Sequence, residues 1–160
     1  MSVRAAMLDD AAELCALLNE IIAIGGTTAL ETALSEQEFA EYYLHGESYI
    51  CCHVAVAEDG ALAGFQALET HTRLPDDWAD IATFARVSPK TPGVGSALFP
   101  HTLATAREHG YAAINATIRA DNKSGLAYYD KMGFETYKVE KAVPLSDGTK
   151  VDRVSKQFDL

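Results

Sequence analysis

Two spacings of apolar residues run along the chain, and each change of spacing marks a new element. Ser2 to Met7 reads as a short first strand. Leu14, Leu17, Leu18, Ile21 and Ile22 then recur at helical spacing on one face, behind Asp10 and Glu13, an acidic variant of the capping box. Gly25-Gly26 ends that helix, and a loop through Thr27, Thr28 and Glu31 leads to Ser35. Ser35 with Glu38 caps a second helix carrying Phe39, Tyr42 and Tyr43. Tyr49 to Ala57 and Ala61 to Glu69 flank Asp59-Gly60 and predict a hairpin.

A polar loop containing Arg73, Pro75 and Asp77 precedes a strand over Asp80 to Val87. The Gly/Pro-rich stretch Ser88 to Gly95 opens a helix over Ser96 to Gly110. Ala112 to Ile118 is a strand, Asn122 to Met132 a helix stopped by Gly133, and Phe134 to Leu145 with Thr149 to Phe158 a closing hairpin turned at Asp147-Gly148. The strand ending at Val87, its helix and the strand through Ile114 form a βαβ unit, which predicts a right-handed parallel crossover. The remaining strands mostly read as antiparallel. The expected fold is therefore α/β, a single domain over residues 1–160 with a mixed, mostly antiparallel sheet of about seven strands and helices on both faces.

Composition narrows the function more than the fold. A formal net charge of −10 argues against binding nucleic acid through its phosphates, and suits a cationic partner such as an amine. No stretch approaches the roughly 20 apolar residues that span a bilayer, and no basic region followed by a hydrophobic core opens the chain, so no membrane partner and a cytoplasmic location are expected. Cys15, Cys51 and Cys52 lack metal-ligand spacing, and adjacent Cys51 and Cys52 should point to opposite faces of a strand as free thiols. His53 and His101 have no ligand partner at helical or strand spacing, so no metal is expected.

The chemistry concentrates between the crossover and the closing hairpin. Lys90-Thr-Pro-Gly93-Val94-Gly95 lies where a strand turns into a helix. Glycines there let backbone approach a ligand, and the free N–H groups of the helix start attract an anion, with a pyrophosphate as the natural occupant. Such a loop alone is often only a tight connection. Asn122-Lys-Ser-Gly-Leu-Ala-Tyr-Tyr129-Asp-Lys-Met-Gly133-Phe134 follows the next strand and supplies the context.

With these two motifs in this order, the sequence resembles the GNAT superfamily of acyl-CoA-dependent N-acetyltransferases, over essentially the whole chain. More loosely, Asn19-Glu20 through Thr27-Thr28-Ala-Leu-Glu31 is similar to the phosphinothricin and amino-acid N-acetyltransferase branch. The resemblance implies acetyl-CoA as cosubstrate, with Gly93, Val94, Gly95 and Ser96 cradling its pyrophosphate beside Lys90. It implies a pantetheine arm along the Val87 strand end, Asn122 bonded to the cosubstrate, and Tyr129 protonating the departing thiolate. A phenol is protonated at neutral pH and can make that donation. An aromatic packing role for Tyr129 and an N-cap role for Asn122 are the alternatives read from the residues themselves.

The chain departs from the family pattern in two places, the glycine loop and the base. Its Val87–Gly93 connection is shorter than usual, Lys90 replaces a glutamine or arginine, and Pro92 removes one N–H from the cradle. Pro100 falls beyond the first helical turn, where it should kink or displace the helix. The glutamate that serves the branch as base is Ala82 here, but Asp80 shares its face of the strand, and Glu69, His71 or a water chain are the substitutes. Arg73, and with it Glu31, are the expected substrate-binding residues, Arg73 as a clamp for a carboxylate.

The expected activity is direct acetyl transfer to a primary amine of a small molecule, an amino acid or analogue among the acceptors. The rival readings are a protein or peptide acetyltransferase and a non-catalytic acyl-CoA sensor. A homodimer is expected by analogy with the branch.

Overall fold

A computed structural model describes residues 1–160. Seven strands form one sheet: β1 (Ser2–Ala5), β2 (Tyr49–Val56), β3 (Leu62–Glu69), β4 (Trp78–Ala85), β5 (Ala113–Arg119), β6 (Glu135–Pro144) and β7 (Lys150–Asp159), in the order β1-β2-β3-β4-β5-β7-β6. Only β4 and β5 run parallel. The helices are α1 (Ala11–Ile24), α2 (Glu36–Ala40, extended by a π-helical turn over Glu41–His45), α3 (Val94–Glu108) and α4 (Lys123–Met132). The expected mixed sheet with helices on both faces is what forms.

Strand alternation divides the core in two. Cys52, Val54, Phe65 and Ala67 face α1 and α2, where Leu14, Leu17, Leu18, Ile21, Phe39 and Tyr43 close over them. Cys51, Leu68, Ile81, Ile114, Ala116 and Ile118 face the other way, against Phe99, Ala106, Tyr129 and Phe134 of the α3–α4 layer. Cys51 and Cys52 thus lie on opposite faces, both buried free thiols.

Four local details differ from the sequence pattern, each for a physical reason. The Asp10–Glu13 box does not form. Arg4 of β1 donates to both Asp10 oxygens at 2.8 and 2.9 Å, and Met7 N donates at 2.7 Å. A charge-assisted bidentate pair outcompetes a neutral helix cap. Glu13 instead accepts from Leu62 N at 2.8 Å, pinning α1 to β3. The Ser35–Glu38 box does form, with bonds of 3.1 and 3.0 Å.

The fourth strand covers Trp78–Ala85, not Asp80–Val87. Ala112 N donates to Asp77 O and so extends pairing upstream, whereas at the other end the last bond to β3 is Arg86 N to Ala63 O. Val87 lies beyond it, 43% exposed. Helix α3 begins at Val94, directly after Gly93 in the left-handed region at φ 78°. It runs unbroken through Pro100. Pro100 and Ser96, whose carbonyl loses its helical donor, both lie on the exposed face, where water can satisfy that carbonyl.

Candidate functional site

The site starts from a failure of pairing. Strands β4 and β5 are hydrogen-bonded only where Trp78–Asp80 meets Ala113–Asn115; beyond Asp80 they diverge. Because Arg86 N bonds toward β3, alternation directs the N–H and C=O groups of Thr83 and Ala85, beyond the last β5 partner, toward the open side. The cleft therefore presents a free strand edge.

The glycine loop lies at one end of this cleft. Ala97 N to Gly93 O is the first helical bond of α3, leaving the N–H groups of Val94, Gly95 and Ser96 ahead of it. Val94 is buried with Ala55, Ala63 and Leu98 and anchors the loop, while Lys90, Pro92, Gly93 and Ser96 are exposed. Two glycines permit the close approach. A Cβ on Gly64 would lie 2.5 Å from Phe84 O and 2.6 Å from Val94 Cγ1, and one on Gly95 would lie 2.5 Å from the Tyr128 ring.

Helix α4 supplies the aromatic side of the cleft. Asn122 caps it by accepting from Gly125 N at 3.0 Å, and its Nδ2 donates to Thr27 O at 3.1 Å. The side chain expected to bond the cosubstrate is thus engaged within the protein at both ends, as an N-cap that also ties α4 to the loop after α1. Tyr129 lies within hydrogen-bond distance of Thr83 on β4, oxygen to oxygen 2.9 Å. Burial pushes its hydroxyl well above the ordinary phenol range, with the Thr83 bond opposing the shift. Tyr128 donates to Gly95 O at 2.8 Å, and burial pushes it up to about 12.

The opposite face of β4 opens on a polar cavity of about 470 Å³. Helices α1 and α2 do not extend over β5 and β7, so the polar side chains of Asn115, Thr117 and Ser155 form its floor. Asp80 is at its edge and accepts from Asn115 Nδ2 at 2.8 Å. Burial raises the Asp80 carboxyl above the usual range, against the Asn115 bond and nearby His71. Glu69 sits directly opposite Asp80 across β3 and β4, and is pushed up to about 7 by burial and then by the Asp80 charge. Trp78 and Tyr137 meet edge-to-face at 5.6 Å on one wall, and Tyr137 donates to Asn115 Oδ1.

The structure places Tyr129 and the glycine loop on one face of β4, and Asp80 and Arg73 in the polar cavity on the other. Glu31 is part of neither. That side chain accepts from Ser146 N at 3.0 Å and Ser146 Oγ at 2.8 Å, fastening its loop to the β6–β7 turn, because the turn offers two donors while the cavity already holds carboxylates. Val87 also falls outside, past the end of β4. Arg153, Asn115 and Tyr137 were missed. The polar-apolar alternation of Ala113–Arg119 was a legible signal for Asn115, but Arg153 and Tyr137 come from a hairpin distant in sequence. His53 and His101, treated separately along the chain, approach to 5.8 Å between ring centroids across β2 and α3.

Against known proteins, the model of the Acetyltransferase (GNAT) family matches residues 17–134. The chain is 25% identical over 154 residues to the Bacillus subtilis (strain 168) protein named "Putative phosphinothricin acetyltransferase YwnH", covering 95% of this chain and 94% of that one. Its fold is similar to a Sinorhizobium meliloti GNAT superfamily phosphinothricin acetyltransferase in complex with AcCoA, at TM-score 0.86 and 22% identity over 99% of this chain and 88% of that one. It is similar in fold also to ribosomal-protein-alanine N-acetyltransferase from Brucella melitensis, at TM-score 0.87 and 19% identity over 100% of both chains. The protein belongs to the GNAT acetyltransferase family and is an acyl-CoA-dependent N-acetyltransferase.

Proposed function

We propose that the enzyme transfers an acetyl group from acetyl-CoA to a primary amine of a small molecule that also carries an acidic group. The observation that carries this reading is the open edge of β4, flanked by Tyr129 on one sheet face and by Asp80 and Glu69 on the other. A thioester laid along Thr83–Ala85 would pair with that edge as an added strand, in place of the Val87 position expected from sequence. Its pyrophosphate would meet the N–H groups of Val94, Gly95 and Ser96, supported by the helix dipole, with Lys90 supplying a nearby positive charge.

The acceptor ammonium would enter from the polar cavity. Asp80, sharing charge with Glu69, removes its proton, and the free amine attacks the thioester carbon. An N–H on the open side of β4, from Thr83 or Ala85, polarises the carbonyl oxygen, and Tyr129 gives its proton to the leaving thiolate. Arg73 and Arg153 line the cavity, and neither makes an ion pair within the protein. Two guanidinium groups in a cavity that Asp80 also lines suit an acceptor with an amine at one end and an acid at the other, which agrees with the phosphinothricin acetyltransferase relatives.

The test is release of CoA with a panel of phosphinothricin, α-amino acids, polyamines and N-terminal peptides. Turnover confined to acid-bearing small amines is expected. Turnover on peptides alone sinks the small-molecule reading, and acetyl-CoA binding without turnover on any amine sinks the catalytic role of Asp80.

A further inference from the structure

Beneath the glycine loop lies a buried polar chain that neither packing nor acceptor binding requires. Gln66 on β3 is fully buried, and its Nε2 donates to Thr83 Oγ1 at 2.9 Å and to Tyr128 Oη at 3.0 Å. Both amide protons are thereby used. Tyr128 spends its own proton on Gly95 O at 2.8 Å, so it must receive from Gln66, which fixes the orientation of the amide. Thr83 therefore accepts from Gln66, and its own proton is free for the Tyr129 oxygen 2.9 Å away. With Thr83 as donor, the Tyr129 proton is not needed inside the network.

We infer that Thr83, oriented by Gln66, is a positioning residue that donates to the Tyr129 oxygen and so frees the Tyr129 proton for the leaving sulfur. This rests on the reading of Tyr129 as the general acid. In the step, the amine nitrogen bonds the carbonyl carbon and the carbon–sulfur bond breaks. The electron pair leaves with sulfur, which takes the Tyr129 proton, and the resulting phenolate keeps the Thr83 hydrogen bond until solvent returns the proton released by the amine. A buried phenolate without that bond would be strongly disfavoured. The same chain reaches Gly95 through Tyr128, so the loop that meets the pyrophosphate and the acid that meets the sulfur share one hydrogen-bond network.

The test needs no acceptor. Dissociation constants of CoA and of desulfo-CoA are measured by calorimetry at pH 8.5 for the wild type, Tyr129→Phe, Thr83→Val and Thr83→Ser. A donor aimed at sulfur makes the wild type prefer CoA by about tenfold, as a hydrogen bond to a charged group implies. The preference should vanish in Tyr129→Phe and Thr83→Val and return in Thr83→Ser, while desulfo-CoA affinity stays within about twofold and shows that each variant is folded and binding. A preference lost in Tyr129→Phe but kept in Thr83→Val overturns the Thr83 assignment alone. A preference kept in Tyr129→Phe overturns Tyr129 as the acid, and the Thr83 role with it.

Discussion

Glu69 and Asp80 face one another across two strands, and each is disfavoured as an anion by its burial. The Glu69 carboxyl stands at about 7 in the folded protein against 4.5 ordinarily. Between those values the native state holds more protons than the unfolded chain, so stability falls as pH rises through this window and the loss is complete above it. Glu69→Gln should flatten that dependence and melt higher than wild type at pH 8, by about 1–2 kcal/mol after allowance for solvent screening. Thermal melts at pH 5 and pH 8 check it, and a wild-type slope retained in the variant would refute it. Asp80→Asn should lose about 10²–10⁴ in kcat, as loss of a general base does. Gly95 is constrained in a different way. A methyl group there meets the Tyr128 ring at 2.5 Å, so Gly95→Ala should displace loop or ring and raise KM for acetyl-CoA about tenfold. An unchanged KM would mean that the loop tolerates the shift.

At the scale of elements, local chemistry decides where helices begin and tertiary partners decide where strands end. Ser35 and Glu38 are close in sequence and nothing competes for them, so the box written there forms. Asp10 and Glu13 have the same local pattern, but Arg4 and Leu62 N claim their oxygens. Ser35→Ala should therefore cost about 1 kcal/mol in chemical denaturation. A loss below a few tenths would show that packing of Phe39 and Tyr43 alone holds α2. Strand β4 was displaced from its expected range because β3 and β5, not its own residues, offer the hydrogen bonds that define it. Helix α4 is fastened to the sheet by Lys156, buried on β7, which donates to Asp130 at 2.6 Å and Thr136 at 2.8 Å. That contact keeps Tyr129 at β4 while leaving the strand edge beside it open.

Over the whole molecule, the uneven coverage of the sheet makes the polar cavity. Two helices close over β2 and β3, none closes over β5 and β7 on that face, and the uncovered strands carry Asn115, Thr117, Arg153 and Ser155 there. With a net charge of −10, unpaired Arg73 and Arg153 stand out as a local cationic wall. Arg153→Gln should raise KM for acid-bearing amines about tenfold or more, with little change for neutral amines. Equal effects on both classes would assign Arg153 to structure instead. No helix is long and apolar enough to cross a membrane.

The sequence by itself determined the order of elements, the alternation that sorts the two core faces, and the two motifs that identify the family. Each of these depends on neighbours within a turn or a strand, where periodicity and capping act. The tertiary structure decided the divergence of β4 from β5, the pairing of Glu69 with Asp80 and the Gln66–Thr83–Tyr129 chain. It also placed Arg153 in the cavity and took Glu31 out of it. These depend on which distant groups reach a given hydrogen-bonding atom first, and no spacing along the chain encodes that competition. The glycine loop and Tyr129 were thus legible as candidates along the chain, as were Asp80 and Arg73, while Glu69 opposite Asp80 and Arg153 in the cavity became visible only when the strands were set side by side.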